Sequence, residues 1–501
     1  MKKTLLLSIA ILLGAISSIS FAADAKKDPA VYADRSGYKL ESNWMYSAVL
    51  NNYNIALDKL GAAGAVRGMA AKDGKMYFCS RTTVNQILVV DGATGALLAP
   101  INLASNVFTY LGRNKANTAD STWTAPLPNN DIQKDNAGNI LVSNLPTSNA
   151  GRFQVWKINL ADGTGTVLIN TDIITHYPLS KTGTRFDAMG VWGDVNGNAV
   201  IMAANAEATV TEVYKWTITG GVVDQKPALI ELDNSGQYWF SKYIQASNTF
   251  EPLANLGSAP RVLPLDDTYF YVDGNTTYPT LVDKDGNVID GFYKIFNPDG
   301  TTLDATAYGL LADNITVPTS TWTMNQGHNG VKEFQIGTDY FLIMAASNTA
   351  AAPFSSFRIF KFKDASKLFK EMTLMWTFPQ AGMGAVQNTV RTGMPEVEVV
   401  GNTANIYLYT HENGYGAYTM TVASGSGLNN PDKSGIEIAL RGRQIVISEQ
   451  VKLAEIYSVS GVRLAAAYNT AEIAAPAQQG IYIVRVTDQY GAKKVQKIAV
   501  Q

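Results

Sequence analysis

The 501-residue chain has one cysteine, Cys79, and three histidines, so several kinds of chemistry lack their usual residues. A single cysteine cannot form an intramolecular disulfide. The widely separated His176, His328 and His411 match no common metal-ligand spacing. The sequence also lacks GxSxG, CxxC and GxxxxGK[ST], the short motifs of serine hydrolases, redox pairs and phosphate loops. We therefore expect no bound metal and no cofactor.

Neither sign of charge predominates. The chain has 40 Lys and Arg residues and 42 Asp and Glu residues, which gives a formal net charge of −2. Because this balance creates no basic field that would attract phosphate backbones, we expect no nucleic-acid partner.

Long apolar runs are also absent, except near the N-terminus. Lys2 and Lys3 precede an apolar run over residues 5–19, and Ser20-Phe21-Ala22 then supplies small residues at the positions that a signal peptidase reads. We predict a signal peptide over residues 1–22 and an exported mature protein without a transmembrane span. A retained membrane anchor is the alternative, although the apolar run is short for a span.

The sequence does contain a recurring pattern of short β-rich runs separated by turns. Residues 66–103 show it best, as four strand-like runs divided by Lys72-Asp73-Gly74-Lys75, residues 81–85 and residues 91–95. Asp and Gly tolerate the positive φ angles that tight hairpins need. Versions of this unit begin again near residues 131, 185, 261, 331 and 391.

Six such units predict an all-β fold built on a β-propeller, because radial repetition of four-stranded sheets fits loosely spaced repeats better than a two-sheet sandwich does. Six blades are favoured, and seven blades or a less regular β array are the alternatives. The sixth unit is one strand short. An isolated run from Trp44 to Leu57 is expected to complete it and close the ring, which removes an exposed strand edge.

Beyond a linker-like segment, GSGLNNPDKSG, the pattern changes to a small antiparallel β-sandwich whose strands alternate apolar and polar residues. The predicted division of the chain is a signal peptide over 1–22, a flexible leader over 23–42, the β-propeller over 43–424, a linker over 425–435 and the β-sandwich over 436–501.

Three runs of the C-terminal module occur in a distinctive order: EIYSVSGVR at 455–463, GIYIVRV at 480–486 and KIAV at 497–500. Together they resemble the C-terminal sorting domain of type IX secretion cargo. The resemblance implies passage through that secretion machinery across the outer membrane, often with removal of the domain and attachment of the cargo to surface polysaccharide. A retained accessory β-sandwich, with the protein in the periplasm, is the alternative. The preceding array resembles secreted β-propeller proteins of uncharacterised function, and this likeness of fold transfers no catalytic residue.

Two patterns predict a ligand site at the mouth of the propeller channel. The STWT sequence around Trp123 recurs around Trp322, each time just before the first strand of a unit. An exposed Trp offers a flat apolar face for sugar rings, and packing between blades is the alternative. Polar residues recur at the starts of the predicted inner strands, with His328 nearby: Arg67, Asp131, Asp187, Arg261, Glu333 and Arg391. These side chains are expected either to bind a polar ligand or to seal the channel by mutual ion pairing.

Three functions follow from these features. A secreted or cell-surface binding propeller, recognising a glycan or another polar ligand, ranks first because the usual nucleophile and metal motifs are missing. A structural or interaction component of the cell envelope, with an envelope protein as its partner, ranks second. A polysaccharide-active enzyme that uses channel-mouth carboxylates ranks third, because such enzymes need no short motif.

Overall fold

The computed structural model describes residues 24–53, 66–112, 121–147, 152–177, 184–206, 211–232, 241–244, 249–252, 256, 259–274, 277–291, 330–346, 355–384, 393–423, 436–459, 462–488 and 493–500. The chain divides into two compact units, Met1–Ala33 with Leu40–Thr421, and Asp34–Lys39 with Val422–Gln501. The predicted signal peptide and linker lie outside the described residues.

Among the described residues, the first unit contains six antiparallel sheets of four or five strands, which we number as blades, and two small two-stranded sheets. Blade 6 uses the first strand of the chain, β1 (Tyr38–Ser47). Blade 1 consists of β2 (Val66–Lys72), β3 (Lys75–Ser80), β4 (Gln86–Asp91) and β5 (Leu97–Asn102). A small sheet follows, made of β6 (Thr109–Gly112) and β7 (Ser121–Thr124). Blade 2 consists of β8 (Asp131–Lys134), β9 (Ile140–Ser143), β10 (Phe153–Ile158) and β11 (Gly165–Thr171).

A short helix, α1 (Ile173–His176), leads towards blade 3. Blade 3 consists of β12 (Gly190–Gly193), β13 (Ala199–Ala204), β14 (Glu212–Thr219), β15 (Val222–Val223) and β16 (Ala228–Glu231). A second small sheet pairs β17 (Ser241–Ile244) with β18 (Thr249–Pro252). Blade 4 consists of β19 (Arg261–Pro264), β20 (Tyr269–Gly274), β21 (Thr277–Asp283) and β22 (Val288–Gly291).

Blade 5 consists of β23 (Val331–Ile336), β24 (Asp339–Ala346), β25 (Ser356–Lys361) and β26 (Thr373–Phe378), with a 3-10 turn at Phe369–Glu371 before its last strand. Blade 6 consists of β27 (Gly393–Val400), β28 (Thr403–Thr410), β29 (Gly414–Val422) and β1. No helix among the described residues is long and apolar enough to cross a membrane.

Tight turns set the strand pairing within the blades. The turn between β2 and β3 places Asp73 at φ 52° and Gly74 at φ 69°. Two consecutive positive φ angles define the type I′ turn, whose twist matches that of the flanking strands. The four predicted strands of residues 66–103 are therefore confirmed within one or two residues at each end.

The chain closes its own ring of blades. β1 pairs with β29, so the first strand of the chain completes the last blade, as predicted. The strand begins at Tyr38 and ends at Ser47, several residues earlier than the predicted run from Trp44 to Leu57. The Trp44 indole N–H donates a 2.8 Å hydrogen bond to the Gly92 carbonyl of blade 1, which ties blade 6 to its neighbour.

The residues before β1 are packed, in contrast to the expected flexible leader. Asp28 accepts a 3.0 Å hydrogen bond from the Tyr418 hydroxyl of blade 6, and the Trp376 indole of blade 5 donates a 2.9 Å hydrogen bond to the Ala33 carbonyl. The Tyr32 ring also meets Tyr418 edge to face. Residues 28–33, which we call the strap, therefore link β26 of blade 5 to β29 of blade 6.

Apolar side chains fill the space between neighbouring blades. Separate buried clusters join blades 1 and 2, 2 and 3, 3 and 4, 4 and 5, and 6 and 1, while β23 lies beside β27. Each blade thus packs on the next and the last packs on the first, which is the arrangement of a six-bladed propeller. The predicted ordinary core role of Cys79 is confirmed, because this residue is fully buried and burial raises the pKa of its thiol.

The second unit is an antiparallel β structure with its own core. It consists of β30 (Ile438–Arg441), β31 (Gln444–Ser458), β32 (Arg463–Ala474), β33 (Gly480–Thr487) and β34 (Lys493–Val500). The long strand β31 pairs with β30 through its first residues, with β33 through its last, and with β32 along most of its length. Alternate side chains such as Ile445, Ile456 and Val484 are buried in one apolar cluster, as a small antiparallel β module requires.

Candidate functional site

An ion-paired carboxylate lies at the end of the ring where the inner strands begin. Arg67, near the start of β2, donates from Nη1 to Oδ1 of Asp187 at 2.5 Å. Arg185 donates to both oxygens of the same carboxylate at 2.8 Å. The Asp187 side chain is 2% exposed, whereas that of Arg185 is 39% exposed. The Asp187 carboxylate is therefore buried beneath a guanidinium group that reaches solvent.

A third arginine, Arg261, reaches across the ring at the same end. Arg261 of blade 4 donates from Nη2 to the backbone carbonyl of Arg67 in blade 1, which lies across the six-blade ring. Its Nη1 lies 3.9 Å from Oδ1 of the fully buried Asp131. The other oxygen of Asp131 accepts a 2.8 Å hydrogen bond from the Met189 N–H. Side chains from blades 1, 2, 3 and 4 thus meet at this end of the ring and close its centre.

Positive charge is in excess in this cluster. Among the described residues, the four guanidinium groups of Arg67, Arg81, Arg185 and Arg261 outnumber the three carboxylates of Asp131, Asp187 and Asp273. Burial lowers the pKa of Arg67 to about 10, although Asp187 opposes the change. Arg67 therefore stays protonated at neutral pH. We call the four guanidinium groups the arginine cluster.

Two further buried groups beside the arginine cluster, Asp273 and His411, have shifted pKa values. Burial raises the pKa of Asp273 to about 7, although Arg261 opposes the change. One oxygen of Asp273 accepts a 2.8 Å hydrogen bond from the Gly330 N–H. Burial and the positive charges of Arg67, Arg261 and Arg81, in that order, lower the pKa of His411 to about 3. His411 is consequently neutral at physiological pH, and Asp273 is close to half protonated.

The centre of the ring leaves little room below the arginine cluster. All six blades line a cavity of about 40 Å³, with Met69, Gln133, Met189, Arg261, Val331 and Met394 among its walls. One buried water needs roughly 10–15 Å³ by this measure, whereas ligand pockets span roughly 300–1,000 Å³. This cavity among the described residues therefore accommodates a few waters and is too small for a sugar ring.

The predicted site residues separate into three groups. Arg67, Asp131, Asp187 and Arg261 come together as described, although Asp187 precedes β12 instead of beginning it. Their ion pairs correspond to the sealing arrangement, which is the predicted alternative to a polar ligand bound at the channel mouth. Trp322, His328 and Arg391 lie outside the described residues.

Two predicted residues lie elsewhere. Glu333 pairs with Lys367 and accepts a 3.4 Å hydrogen bond from the Tyr271 hydroxyl, so it bridges blades 4 and 5 and does not join the arginine cluster. Trp123 is half-buried in strand β7, paired with Tyr110, and does not lie in a loop.

Sequence reasoning did not assign four residues to this site: Arg81 and Arg185 of the arginine cluster, and Asp273 and His411 beside it. Arg185 stands two positions before Asp187, and this short spacing was the one local signal for it. Asp273 pairs with Arg261 across two strands, and His411 belongs to the blade that closes the ring. Within the described part of the chain, no three His, Cys, Asp or Glu side chains come together as a metal site.

Comparison with known proteins yields distant structural similarity. No family model matches the chain, and no curated protein matches it. The chain is similar to the crystal structure of a DUF4623 family protein from Bacteroides eggerthii, with TM-score 0.49 and 13% identity over 80% of this chain and 78% of the other. It is also similar to the N-terminal domain of Nup159, with TM-score 0.35 and 9% identity over 78% of this chain and 97% of the other. The computationally designed Ika8 protein gives TM-score 0.27 and 11% identity over 87% of this chain and 98% of the other.

Proposed function

We propose that the chain is an exported, non-enzymatic binding propeller whose ligand carries an acidic group that contacts the arginine cluster. The observation that carries this proposal is the excess of guanidinium groups over carboxylates at the closed end of the ring. A surplus of positive charge attracts anionic ligands to this end of the ring.

The outward side of the arginine cluster supports a ligand on its surface. Arg185 is partly exposed, and Arg81 is half-buried within electrostatic range of Asp187 and Arg185. Guanidinium groups bind carboxylate, sulfate and phosphate groups through paired N–H donors. Because the 40 Å³ cavity below admits no ligand, the acidic group contacts Arg81 and Arg185 from the solvent side.

The test is isothermal titration of the mature protein with D-glucuronate and with D-glucose at low ionic strength. The proposal predicts binding of the acid and no heat from the neutral sugar. The Arg81→Ala/Arg185→Ala variant is expected to bind glucuronate at least about tenfold more weakly, because a hydrogen bond to a charged group contributes about 1.5–3 kcal/mol.

Lys284→Ala is the matched control, because the Lys284 side chain is 53% exposed on a turn of blade 4 and pairs only with its neighbour Asp285 among the contacts described. This control is expected to bind as the unmodified protein does. Glucuronate binding that is unchanged in the double arginine variant would disprove the proposed site.

Two buried acids make a carboxylate-dependent reaction the weaker proposal. Asp131 is fully buried and Asp187 is 2% exposed, and both accept hydrogen bonds or ion pairs from the protein. A glycosidase needs two carboxyl groups that face one sugar-binding cleft. Neither acid faces such a cleft in the described part of the ring.

An interaction role in the cell envelope is the second candidate, and one observation of the second unit favours it. Among the described strands, β32 pairs with β31 alone, and its outward side chains Leu464 and Tyr468 are 48% and 69% exposed. Long edge strands with exposed apolar residues are typical sites of strand addition by another chain. Loss of co-purifying envelope proteins in Leu464→Lys/Tyr468→Lys, with unchanged glucuronate binding, would separate this role from ligand binding.

A further inference from the structure

A second polar site lies at the opposite end of the blade strands from the arginine cluster. Arg67 stands near the beginning of β2 and Lys72 at its end, about 17 Å apart at 3.3 Å per residue. Beside Lys72, blades 1 and 2 border a depression of about 390 Å³. This volume lies within the range of roughly 300–1,000 Å³ that is usual for small-ligand pockets.

Hydrogen-bond donors dominate the walls of this depression. None of the described residues that line it carries a carboxylate, and two carry amines. The polar lining consists of Lys72, Asn139, Lys157, Asn159, Thr164 and Thr166. Such a wall favours an anionic ligand that is rich in hydrogen-bond acceptors.

The amide groups are held with their oxygens already engaged. Lys157 Nζ donates to Asn196 Oδ1 at 2.5 Å, and Asn196 Nδ2 donates to Asn139 Oδ1 at 3.2 Å. Asn139 Nδ2 in turn donates to Asp135 at 2.8 Å. Asn139 Nδ2 also donates to Asp194 at 3.3 Å, so this amide uses its N–H groups as well as its oxygen within the protein. The charged donors at the depression are therefore the ammonium groups of Lys72 and Lys157, which suit an anionic ligand.

The carboxylates of the surrounding turns are occupied by their own turns. Asp135 is 2% exposed and accepts hydrogen bonds from the N–H groups of Asn139 and Val195 at 2.7 and 2.9 Å. Asp162 accepts from the Thr164 hydroxyl at 2.7 Å. These acids therefore stabilise hairpin turns, and their oxygens accept hydrogen bonds from those turns.

An adjoining depression extends the site towards blade 3. It measures about 490 Å³ and shares Lys157 and Thr166 with the first. Its walls add the aliphatic side chains of Val167 and Val222, which are 41% and 72% exposed, together with the amide of Gln225. A sugar ring presents both hydroxyl groups and apolar C–H faces, so it matches this mixture of amides and valines.

We infer that these two depressions bind an acidic oligosaccharide, with a carboxylate of one sugar at Lys72 and Lys157 and the next sugar beside Val167 and Val222. The chemical class follows from the two amines, the hydroxyl and amide groups of the polar lining, and the aliphatic wall. This site is independent of the proposed glucuronate site, because it lies at the other end of the strands and shares no residue with the arginine cluster.

Thr166 provides a sharp test. It is exposed, lies on the wall shared by both depressions and pairs directly with Lys157 across β10 and β11. Directly paired residues have Cβ atoms about 4.5–5.5 Å apart, so Thr166→Glu brings a carboxylate beside the Lys157 amine and opposes an acidic ligand. Thr166→Gln has nearly the same size without the charge and serves as the matched control.

The experiment is isothermal titration with oligomers of galacturonic acid and with neutral cello-oligosaccharides. We expect binding of the acidic oligomers alone, a loss of about tenfold or more in Thr166→Glu, and a change of less than about twofold in Thr166→Gln. Arg185→Ala is expected to retain binding, which separates this site from the arginine cluster. Lys72→Ala is expected to weaken binding and gives a second readout if Thr166→Glu proves unstable in thermal unfolding.

Three results would overturn the inference. The first is equal affinity of Thr166→Glu and Thr166→Gln for the acidic oligomers. The second is the absence of binding, or equal binding of acidic and neutral oligomers. The third is tighter binding of an oligoglutamate peptide than of the acidic sugar, which would assign the depressions to a peptide instead.

Discussion

Asp273 makes the stability of the propeller depend on pH in a direction that is unusual for an aspartate. Its pKa rises from 3.8 to about 7 on burial, so the folded protein holds a proton that the unfolded chain releases. Stability from this group is therefore fully present below pH 3.8 and is lost as the pH rises through 7. At about 1.4 kcal/mol per pH unit, the ionised carboxylate destabilises the fold by about 4 kcal/mol above pH 7.

His411 acts in the opposite direction over nearly the same range. Its pKa falls from 6.5 to about 3, so the unfolded chain binds a proton that the folded protein excludes. Stability from His411 is present above pH 6.5 and is lost as the pH falls towards 3. The two residues thus offset each other between about pH 4 and 6.5, and each conceals the other in the unmodified protein.

Asp273→Asn removes the ionisation and retains an oxygen that can accept from the Gly330 N–H. The difference in free energy of unfolding between Asp273→Asn and the unmodified protein should shift by about 4 kcal/mol in favour of the variant between pH 4 and pH 8. If the substitution also lowers the free energy of unfolding by altering contacts, that loss is the same at every pH and does not change this pH dependence. Urea unfolding followed by Trp fluorescence at four pH values measures it, and His411→Gln should show a dependence of opposite sign. A difference between Asp273→Asn and the unmodified protein that does not vary with pH would refute the reasoning.

Three other predictions concern the ring and its closed end. Trp44→Ala should lower the free energy of unfolding by about 3–5 kcal/mol, because it empties the contact between blades 6 and 1, whereas Val31→Ala, at a side chain that is 95% exposed, should change little in urea unfolding. Arg67→Ala should destabilise the fold by about 3 kcal/mol by removing one partner of the buried Asp187, whereas Arg185→Ala, which removes a partly exposed partner, should cost less than about 1 kcal/mol; similar losses in both would contradict the structure. Arg185→Ala should lower the affinity for glucuronate in titration, whereas Lys284→Ala should leave it unchanged.

Local chemistry explains which parts of the fold the sequence could predict. Asp73-Gly74 and similar turns require positive φ angles, and this requirement locates hairpins without any knowledge of distant contacts. The strand missing from the sixth unit likewise pointed to a strand near the N-terminus, and β1 fills that place. The exact bounds of β1 were wrong because pairing with β29 and the strap residues, which are remote in sequence, sets where it begins.

The candidate site was only half predictable for the same physical reason. Arg67, Asp131 and Arg261 were correctly placed at one end of the ring, because each lies at or near the start of an inner strand and equivalent positions of repeated blades converge. The pattern could not show that Arg261 reaches the Arg67 carbonyl across 194 residues, or that His411 faces three arginines. Glu333 was predicted at this site by the same argument, but its side chain lies between blades 4 and 5. There it contacts Tyr271 and Lys367, and the sequence pattern does not show these contacts.

A structure of the protein with bound D-glucuronate tests the central claim most directly. The account predicts that the carboxylate of the sugar acid lies within hydrogen-bond distance of the Arg81 and Arg185 guanidinium groups, above an intact Arg67–Asp187 ion pair. A carboxylate bound away from both arginines, or one that displaces Asp187 from Arg67 to enter the channel, would contradict it.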